Sequence, residues 1–278
     1  MENLRNRIGF MQGRLSDLIE GRIQTFPEEN WKSEFLLARE NKIEMMEWTI
    51  DTLTYSNNPL VNGTQVEEIA RLSDVNGVRI PSVTCDYYME NPHWEANDID
   101  IEGDVRTIIE AMPRIGAKIL VIPLVDNSSI SRNQNMDFRF FKDFKKMLIA
   151  NNIRIAFELD LDPSGAKNFI ESFEEDQYGI NLDIGNSASL GFDPEAEISS
   201  YGNRVINVHV KDRLLGGHTV PLGLGNADFK KVLEQLNKIN YSGSFIMQTA
   251  RSKNGKHLDE LMRNIEFFEG VFLENQSS

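Results

Sequence analysis

The 278-residue sequence contains a single cysteine, Cys85, and four histidines. One cysteine excludes a disulfide framework and a cysteine-rich zinc site. No apolar run approaches the ~20 residues that a membrane-spanning helix needs, and the first residues lack the apolar core of a secretory signal peptide. These absences predict a cytoplasmic protein without a membrane partner.

Positive charge is also scarce in this sequence. Lysine and arginine number 29 against 43 aspartates and glutamates, which gives a formal net charge of −14. An acidic surface repels polyphosphate backbones and anionic lipids. We therefore expect no nucleic-acid partner.

Short apolar runs recur along the whole chain, at intervals of about 35 residues, the length of one strand–helix unit in a (β/α)₈ barrel. A doubly wound open sheet needs fewer units, and no glycine-rich dinucleotide loop follows the first run. The eight runs begin near Arg7, Ile43, Arg79, Lys118, Ile153, Tyr178, Arg204 and Ser244. They predict eight strands.

Helix signals lie between these runs. Thr64, three residues before Glu67, has the spacing of a capping box, and Phe138–Leu148 carries an apolar stripe of helical period. Further helices are expected to start near Pro27, Asp162, Asn226 and Leu258. The alternation predicts an α/β fold, a single (β/α)₈ TIM barrel domain over 1–278, with the barrel at about 7–270 and a frayed tail over 274–278.

Polar side chains stand in or directly after four consecutive predicted strands. Residues at the carboxyl ends of the strands form the active site of such barrels, and ionisable groups among apolar residues are costly unless they are paired or bind a metal. Strands five to eight each supply one such residue: Glu158, Asp183, His209 and Gln248.

Two carboxylates, one imidazole and one amide oxygen make a ligand set for one divalent cation. This mix suits Mn²⁺ or Mg²⁺ and also fits Co²⁺ or Zn²⁺. The alternative is a hydrogen-bond network of inward polar side chains that holds no metal. The equivalent positions of all four residues favour the metal.

Basic residues gather near the ends of predicted strands seven and eight, where barrels bind phosphate. We expect Lys211 to take part in catalysis and Arg213, His218 and Arg251 to bind substrate, with solvated surface charge as the alternative. Glu47 on strand two is a candidate contact for a substrate hydroxyl, an acid that supports the metal ligands, or half of a buried pair.

The sequence resembles the xylose-isomerase-like TIM-barrel superfamily of sugar and sugar-phosphate isomerases and epimerases, which also includes endonuclease IV. The resemblance spans nearly the whole barrel. It rests on Glu158, on the segments Leu182–Asn186 and His209–Asp212, on the glycine-rich run Gly216–Gly225 and on the polar end of strand eight. It implies that Glu158, Asp183 and His209 hold a metal together with a second glutamate, and that both glutamates exchange protons with the substrate.

Two positions depart from the family pattern. Gln248 stands where the family has its second glutamate, and Asn186 stands where members often have a histidine that holds the substrate. An amide oxygen still ligates a hard cation, but glutamine is not a useful base. We therefore expect single-base isomerisation to exceed epimerisation, and we keep Asn186 as a substrate contact.

The leading hypothesis is a metal-dependent isomerase or epimerase of a small sugar or sugar phosphate, with Glu158 moving a proton through a metal-stabilised enediolate. A sugar dehydratase is a close variant, and a non-catalytic carbohydrate-binding relative is the main alternative. An endonuclease IV-like phosphodiesterase is disfavoured because it needs several metals and a DNA partner. The residues leave a homo-oligomer open.

Overall fold

The computed structural model describes residues 4–95, 99–133 and 137–276. Ten strands lie in this part of the chain: β1 Ile8–Met11, β2 Met46–Ile50, β3 Ser82–Cys85, β4 Ile119–Leu124, β5 Arg154–Leu159, β6 Tyr178–Asp183, β7 Val205–Val210, β8 Asp212–Arg213, β9 Thr219–Val220 and β10 Phe245–Met247.

Eight of these strands are parallel and close into a barrel in the order β1-β10-β7-β6-β5-β4-β3-β2. The sequence-based prediction of a (β/α)₈ TIM barrel is confirmed, and each of the eight predicted runs contains or overlaps one barrel strand. The second and third strands begin three residues later than their apolar runs. The short strands β8 and β9 form a separate antiparallel hairpin that the sequence did not predict.

Eleven α-helices are present in the described residues: α1 Trp31–Glu40, α2 Val66–Asn76, α3 Asp86–Glu90, α4 Ile101–Ala111, α5 Arg139–Lys142, α6 Lys145–Asn151, α7 Pro163–Glu171, α8 Ile184–Leu190, α9 Pro194–Tyr201, α10 Phe229–Lys238 and α11 His257–Gln276. Short 3₁₀ helices cover Leu4–Arg7, Tyr55–Asn57, Met112–Ile115, Asp126–Ser128 and Gly202–Arg204. None of the helices in these ranges is both long and apolar enough to cross a membrane.

Capping residues explain where several helices begin. Asp162 accepts a hydrogen bond from the Gly165 amide at the start of α7, and Asp228 accepts one from the Lys231 amide at the start of α10. The capping box at Thr64 was wrong, because α2 has Gln65 as its N-cap and the Thr64 hydroxyl donates to Asn62 instead. Side-chain oxygens at an N-cap stabilise a helix only when they reach its free amides.

One other helix prediction needs correction. The segment 138–148 forms α5 and α6 rather than one helix. In the tail over 274–278, residues 274–276 continue α11, and the Asn275 amide group donates to the Lys230 carbonyl. Residues 277 and 278 of that tail lie outside the described residues.

The hydrophobic core has two unequal parts. The main part fills the space between the strands and the helices and includes large side chains such as Trp48 and Phe157. Met11, Met45 and Ile246 form a separate small cluster. Because side chains alternate between the two faces of a strand, the remaining inward positions are available to polar groups, and several barrel strands place them there.

Candidate metal and active site

Glu158, Asp183 and His209 meet at the carboxyl-terminal face of the barrel. They lie on β5, β6 and β7, which are consecutive in the barrel, and Asp183 pairs in register with His209. One ligand atom from each residue lies within 4.8 Å of the others, and all three side chains are buried. In the ranges that the structure describes, this is the one group of three or more such residues with that spacing.

His209 is held between two carboxylates. Its Nε2 atom lies 2.7 Å from Glu47 Oε1, and its Nδ1 atom lies 3.2 Å from Glu158 Oε2. Burial opposes a charged imidazole, but the carboxylates of Glu47 and Glu158 outweigh it and raise the pKa of His209 to about 10. A metal-binding histidine commonly has its second ring nitrogen bonded to a carboxylate in this way.

Two buried atoms of this group lack hydrogen bonds. Nδ1 of His209 has no hydrogen-bond partner among the described residues, and neither has Asp183 Oδ2, although Lys211 Nζ lies 2.6 Å from it as an ion pair. Buried polar atoms are nearly always satisfied. A divalent cation bound by Glu158, Asp183 and His209 would satisfy both atoms, so the residues present fit the metal.

The Glu158 carboxylate is fixed by two amide groups. Asn181 Nδ2 donates to its Oε2 atom at 2.8 Å, and Asn186 Nδ2 donates to its Oε1 atom at 2.6 Å. Burial opposes ionisation of Glu158, but the His209 imidazole 3.2 Å away and the charge of Lys211 outweigh that effect and lower the pKa of Glu158. For Asp183, burial is the larger influence, and its pKa is raised despite Lys211.

An inner layer of polar residues lies below the triad. Glu47 is fully buried and also accepts hydrogen bonds from Ser82 Oγ at 2.6 Å and Asn207 Nδ2 at 3.0 Å. Asn207 also donates to Asn181 at 3.0 Å. Neither Asn181 nor Asn207 was predicted from the sequence to be a site residue. Each precedes a triad residue by two positions, and this spacing puts both side chains on one face of a strand.

Lys211 connects the triad to Gln248. Its ammonium group donates to Gln248 Oε1 at 3.0 Å and pairs with Asp183 on its other side. Gln248 Nε2 donates to Gln24 Oε1 at 2.8 Å, and Gln24 Nε2 in turn donates to Asp86. Gln248 therefore reaches the proposed metal ligands through Lys211.

A cavity of about 600 Å³ opens over these residues. Its volume is within the range of small-molecule sites. Arg213 donates to Asn186 Oδ1 at 2.8 Å, so the basic residue and the proposed substrate contact support each other. The polar side chains that line the cavity include Arg22, Gln24, Asp86, Glu158, Asn186, Lys211, Arg213, His218 and Gln248.

Two of the predicted substrate contacts lie elsewhere. Glu47 is buried beneath the cavity, with its oxygens bonded to His209, Ser82 and Asn207. Arg251 lines a neighbouring cavity, and its guanidinium donates to the carbonyls of Ser16 and Ile23.

The loop after β1 is held by a carboxylate from α1. Glu34 is fully buried and accepts hydrogen bonds from the Gly13 amide at 2.9 Å, the Leu15 amide at 3.0 Å and the Ser16 hydroxyl at 2.9 Å. Gly13 has a φ of +93°, and a Cβ atom there would lie 2.7 Å from the Thr25 carbonyl oxygen, so a side chain does not fit. This loop continues to Gln24 in the cavity wall.

Comparison with known proteins places this barrel in a family. Residues 35–269 match the family described as xylose isomerase-like TIM barrel. The chain is 24% identical over 234 residues to L-ribulose-5-phosphate 3-epimerase UlaE of Salmonella heidelberg (strain SL476), which covers 79% of this chain and 82% of that protein.

Solved structures share the fold at low sequence identity. The IOLI protein with a bound zinc atom superposes with a TM-score of 0.74 at 14% identity, over 97% of this chain and 99% of that one. A xylose isomerase-like TIM barrel protein from Mycobacterium smegmatis in complex with magnesium gives a TM-score of 0.68 at 15% identity, over 99% of each chain. The family match covers most of the sequence and all barrel strands except β1. The resemblance read from the sequence is confirmed: this chain belongs to the xylose isomerase-like TIM barrel family.

Proposed function

We propose that this protein is an enzyme, a divalent-cation-dependent isomerase or epimerase of a small sugar or sugar phosphate. One observation carries the proposal: Glu158, Asp183 and His209 converge within 4.8 Å beneath a polar cavity, and two of their buried atoms lack hydrogen bonds. The family membership and the epimerase name of the relative from Salmonella heidelberg support it.

The triad would hold the cation, and Gln248 would supply a fourth oxygen once Lys211 releases it. Carboxylate, imidazole and amide ligands suit Mn²⁺, Mg²⁺, Co²⁺ or Zn²⁺. The structures superposed above contain zinc in one case and magnesium in the other. When bound, the cation supplies a Lewis acid that polarises a carbonyl and its neighbouring hydroxyl.

Glu158 is the base in this proposal. Its lowered pKa keeps the carboxylate ionised at neutral pH, which is the form that accepts a proton from the carbon beside the carbonyl. Asn181 and Asn186 orient its two oxygens. These contacts hold the base in one position relative to a bound substrate.

Basic groups along the cavity would bind the oxygens or the phosphate of the substrate. Lys211, Arg213 and His218 line the same cavity as Glu158, and Arg251 in the adjoining cavity stays a candidate for a longer substrate. Cationic side chains and phosphate form strong charge-assisted hydrogen bonds. L-Ribulose 5-phosphate is the first compound to test because it gives the Salmonella heidelberg relative its name.

Deuterium incorporation from heavy water tests the function directly. With Mn²⁺ present, the protein should introduce deuterium beside the carbonyl of L-ribulose 5-phosphate, or of another compound in a panel of ketoses, aldoses and their phosphates. Protein purified without chelator should carry about one divalent ion per chain. Asp183→Ala should lose this ion, because alanine lacks the deprotonated carboxylate that would bind it. Binding of a sugar without any exchange would contradict an enzymatic role, and loss of water from the substrate would indicate a dehydratase instead.

A further inference from the structure

Inversion at a carbon needs a proton acceptor on one face and a proton donor on the other. Glu158 supplies one of these groups in the proposed function. Gln248 stands where the family resemblance implies the second, and an amide is not a useful acid or base. A further ionisable side chain in the same cavity would therefore decide whether the protein inverts a centre or only exchanges one proton.

Most charged groups of the cavity are already engaged. Lys211 is held by Asp183 and Gln248. The Asp51 carboxylate accepts hydrogen bonds from the Phe26 amide at 2.8 Å and the Thr54 hydroxyl at 2.7 Å. These contacts leave neither side chain free to accept a proton from a substrate carbon.

The outer carboxylates are poorly placed for such a step. Glu90 pairs with Arg22, at 3.4 Å, and both side chains are partly exposed to solvent. Asp126 is exposed at the edge of the cavity. Exposed groups are screened by water and are not held in one geometry.

Asp86 is different from all of these. It directly follows β3, is 6% exposed and lines the same cavity as Glu158. In the described part of the chain, its side-chain hydrogen-bond partner is the neutral amide of Gln24, which donates to one carboxylate oxygen. Asp86 is thus a buried carboxylate, and no cationic side chain of the described residues forms an ion pair with it.

The position of Asp86 relative to Glu158 follows from the barrel order. Asp86 follows β3, which β4 alone separates from β5, whereas Gln248 follows β10, three strands from β5 in the other direction around the barrel. Gln24 belongs to the loop after β1 and contacts both Gln248 and Asp86. The chain Gln248–Gln24–Asp86 therefore runs along the cavity wall from the end of β10 to the end of β3, and Asp86 lies on the other side of β5 from Gln248.

We propose that Asp86 is the second acid/base of the reaction and takes the role that Gln248 cannot perform. This inference rests on the proposed function and names the residue that would make it an epimerase. The substrate class is a ketose whose inverted carbon lies beside the carbonyl. With two acid/base groups, we expect epimerisation to exceed single-base isomerisation, which reverses the expectation drawn from the sequence.

The electrostatic setting of Asp86 supports this role. Burial raises its pKa to about 7, the hydrogen bond from Gln24 opposes that rise, and the negative charge of Glu158 adds to it. An acid/base works best when its pKa is near the working pH, because both protonation states are then populated.

The proposed step conserves all atoms and electrons. The Glu158 carboxylate takes the proton from the carbon beside the carbonyl, and the electron pair of that C–H bond passes into the enediolate of the substrate. The neutral Asp86 carboxylic acid then delivers its proton to the same carbon from the other face, and a new C–H bond forms with inverted configuration. Proton exchange with water returns Glu158 to the carboxylate and Asp86 to the acid, and the reverse reaction exchanges their roles.

The test compares exchange with inversion in one set of variants. With L-ribulose 5-phosphate, Mn²⁺ and heavy water, the unmodified protein should both incorporate deuterium and form the C3 epimer. Asp86→Asn keeps an oxygen that accepts from Gln24, so inversion should fall about 100-fold or more, while exchange through Glu158 stays within about threefold. Asp74→Asn removes an exposed carboxylate from α2 and should change neither rate.

A second variant separates a chemical role from a structural one. Adding Gln248→Glu to Asp86→Asn supplies a new carboxylate in the same wall and should restore inversion at least about tenfold. Metal content and thermal stability of each variant show that the fold is kept. Inversion by Asp86→Asn within threefold of the unmodified protein, or equal losses of exchange and inversion, would overturn the role of Asp86.

The two proposals fail in different ways. If the unmodified protein exchanges deuterium into a ketose but never inverts the carbon, the role of Asp86 is refuted and the isomerase function stands. If it exchanges deuterium into no sugar or sugar phosphate of the panel, the proposed function itself is refuted, and the role of Asp86 with it.

Discussion

Glu47 and His209 contact each other across the barrel interior, from strands that are not neighbours in the sheet. The 2.7 Å distance between Glu47 Oε1 and His209 Nε2 fixes the imidazole so that its other nitrogen faces Glu158. A carboxylate in this position would set the tautomer of the ring and raise its basicity if His209 binds the proposed metal.

Glu47→Gln should therefore weaken metal binding without removing a ligand. We expect the dissociation constant for Mn²⁺ to rise about 10- to 100-fold, as measured by isothermal titration calorimetry. Glu29→Gln, an exposed change near α1, is the control and should leave the constant unaltered. Equal Mn²⁺ affinities for Glu47→Gln and the unmodified protein would show that His209 does not bind the metal through Nδ1.

Lys211 would compete with the proposed cation for the same oxygens. Its ammonium lies 2.6 Å from Asp183 Oδ2 and 3.0 Å from Gln248 Oε1, and like charges a few ångströms apart repel by about 1 kcal/mol or more even in a polar setting. Lys211→Met should tighten Mn²⁺ binding about tenfold while lowering turnover. Lys230→Met, on the exposed face of α10, is the matched control, and weaker binding by Lys211→Met would contradict the competition.

The effect of removing Arg251 tells whether it binds phosphate. If Arg251 binds phosphate, as expected from its place near the end of the eighth predicted strand, Arg251→Ala raises KM about ten- to hundredfold more for a sugar phosphate than for the free sugar. In the structure, the Arg251 guanidinium donates to the carbonyls of Ser16 and Ile23. Because losing these contacts would displace the loop after β1, they predict an equal rise in KM for the sugar phosphate and the free sugar. Steady-state kinetics with L-ribulose 5-phosphate and L-ribulose distinguish the two.

The Cys85 thiol should be inert in the folded protein. Burial raises its pKa to about 12, so at pH 8 only about one thiol in ten thousand is ionised, and the thiolate is the reactive form. A thiol reagent at pH 8 should modify the native protein far more slowly than the protein in denaturant, where the ordinary pKa returns. Rapid native-state modification would show that the end of β3 opens to solvent.

The sequence predicts the barrel well because its signal is local and repeated. Each apolar run is long enough to be recognised by itself, and Asp162 and Asp228 act on amides only three residues away. The capping box predicted at Thr64 was wrong because its hydroxyl donates a hydrogen bond to Asn62, a residue that the capping box pattern does not include. The break between α5 and α6 could not be predicted, because the apolar residues keep their helical spacing across it.

The candidate site was only partly accessible to the same reasoning. Glu158, Asp183 and His209 could be named because each sits at the end of a strand, where the fold gives polar residues a common location. Gln24 could not, since it lies in an irregular loop and contacts Gln248, which is 224 positions away. Contacts at such separations depend on the closed barrel and have no period in the sequence.

The anchoring of the first loop by Glu34 limits how this site can be rebuilt. Because a helix residue holds the amides of Gly13 and Leu15, the loop that carries Gln24 is shaped by the outer layer of the barrel as well as by its strands. If the loop were grafted from a relative without the helix that follows it there, the Glu34 carboxylate could lose its amide donors, or the amides of the new loop could lose their acceptor. Either change would leave a buried polar group without a hydrogen bond. Loop and helix therefore form one exchangeable module, and a chimera designed to change the substrate should join the two proteins after α1, beyond Glu40.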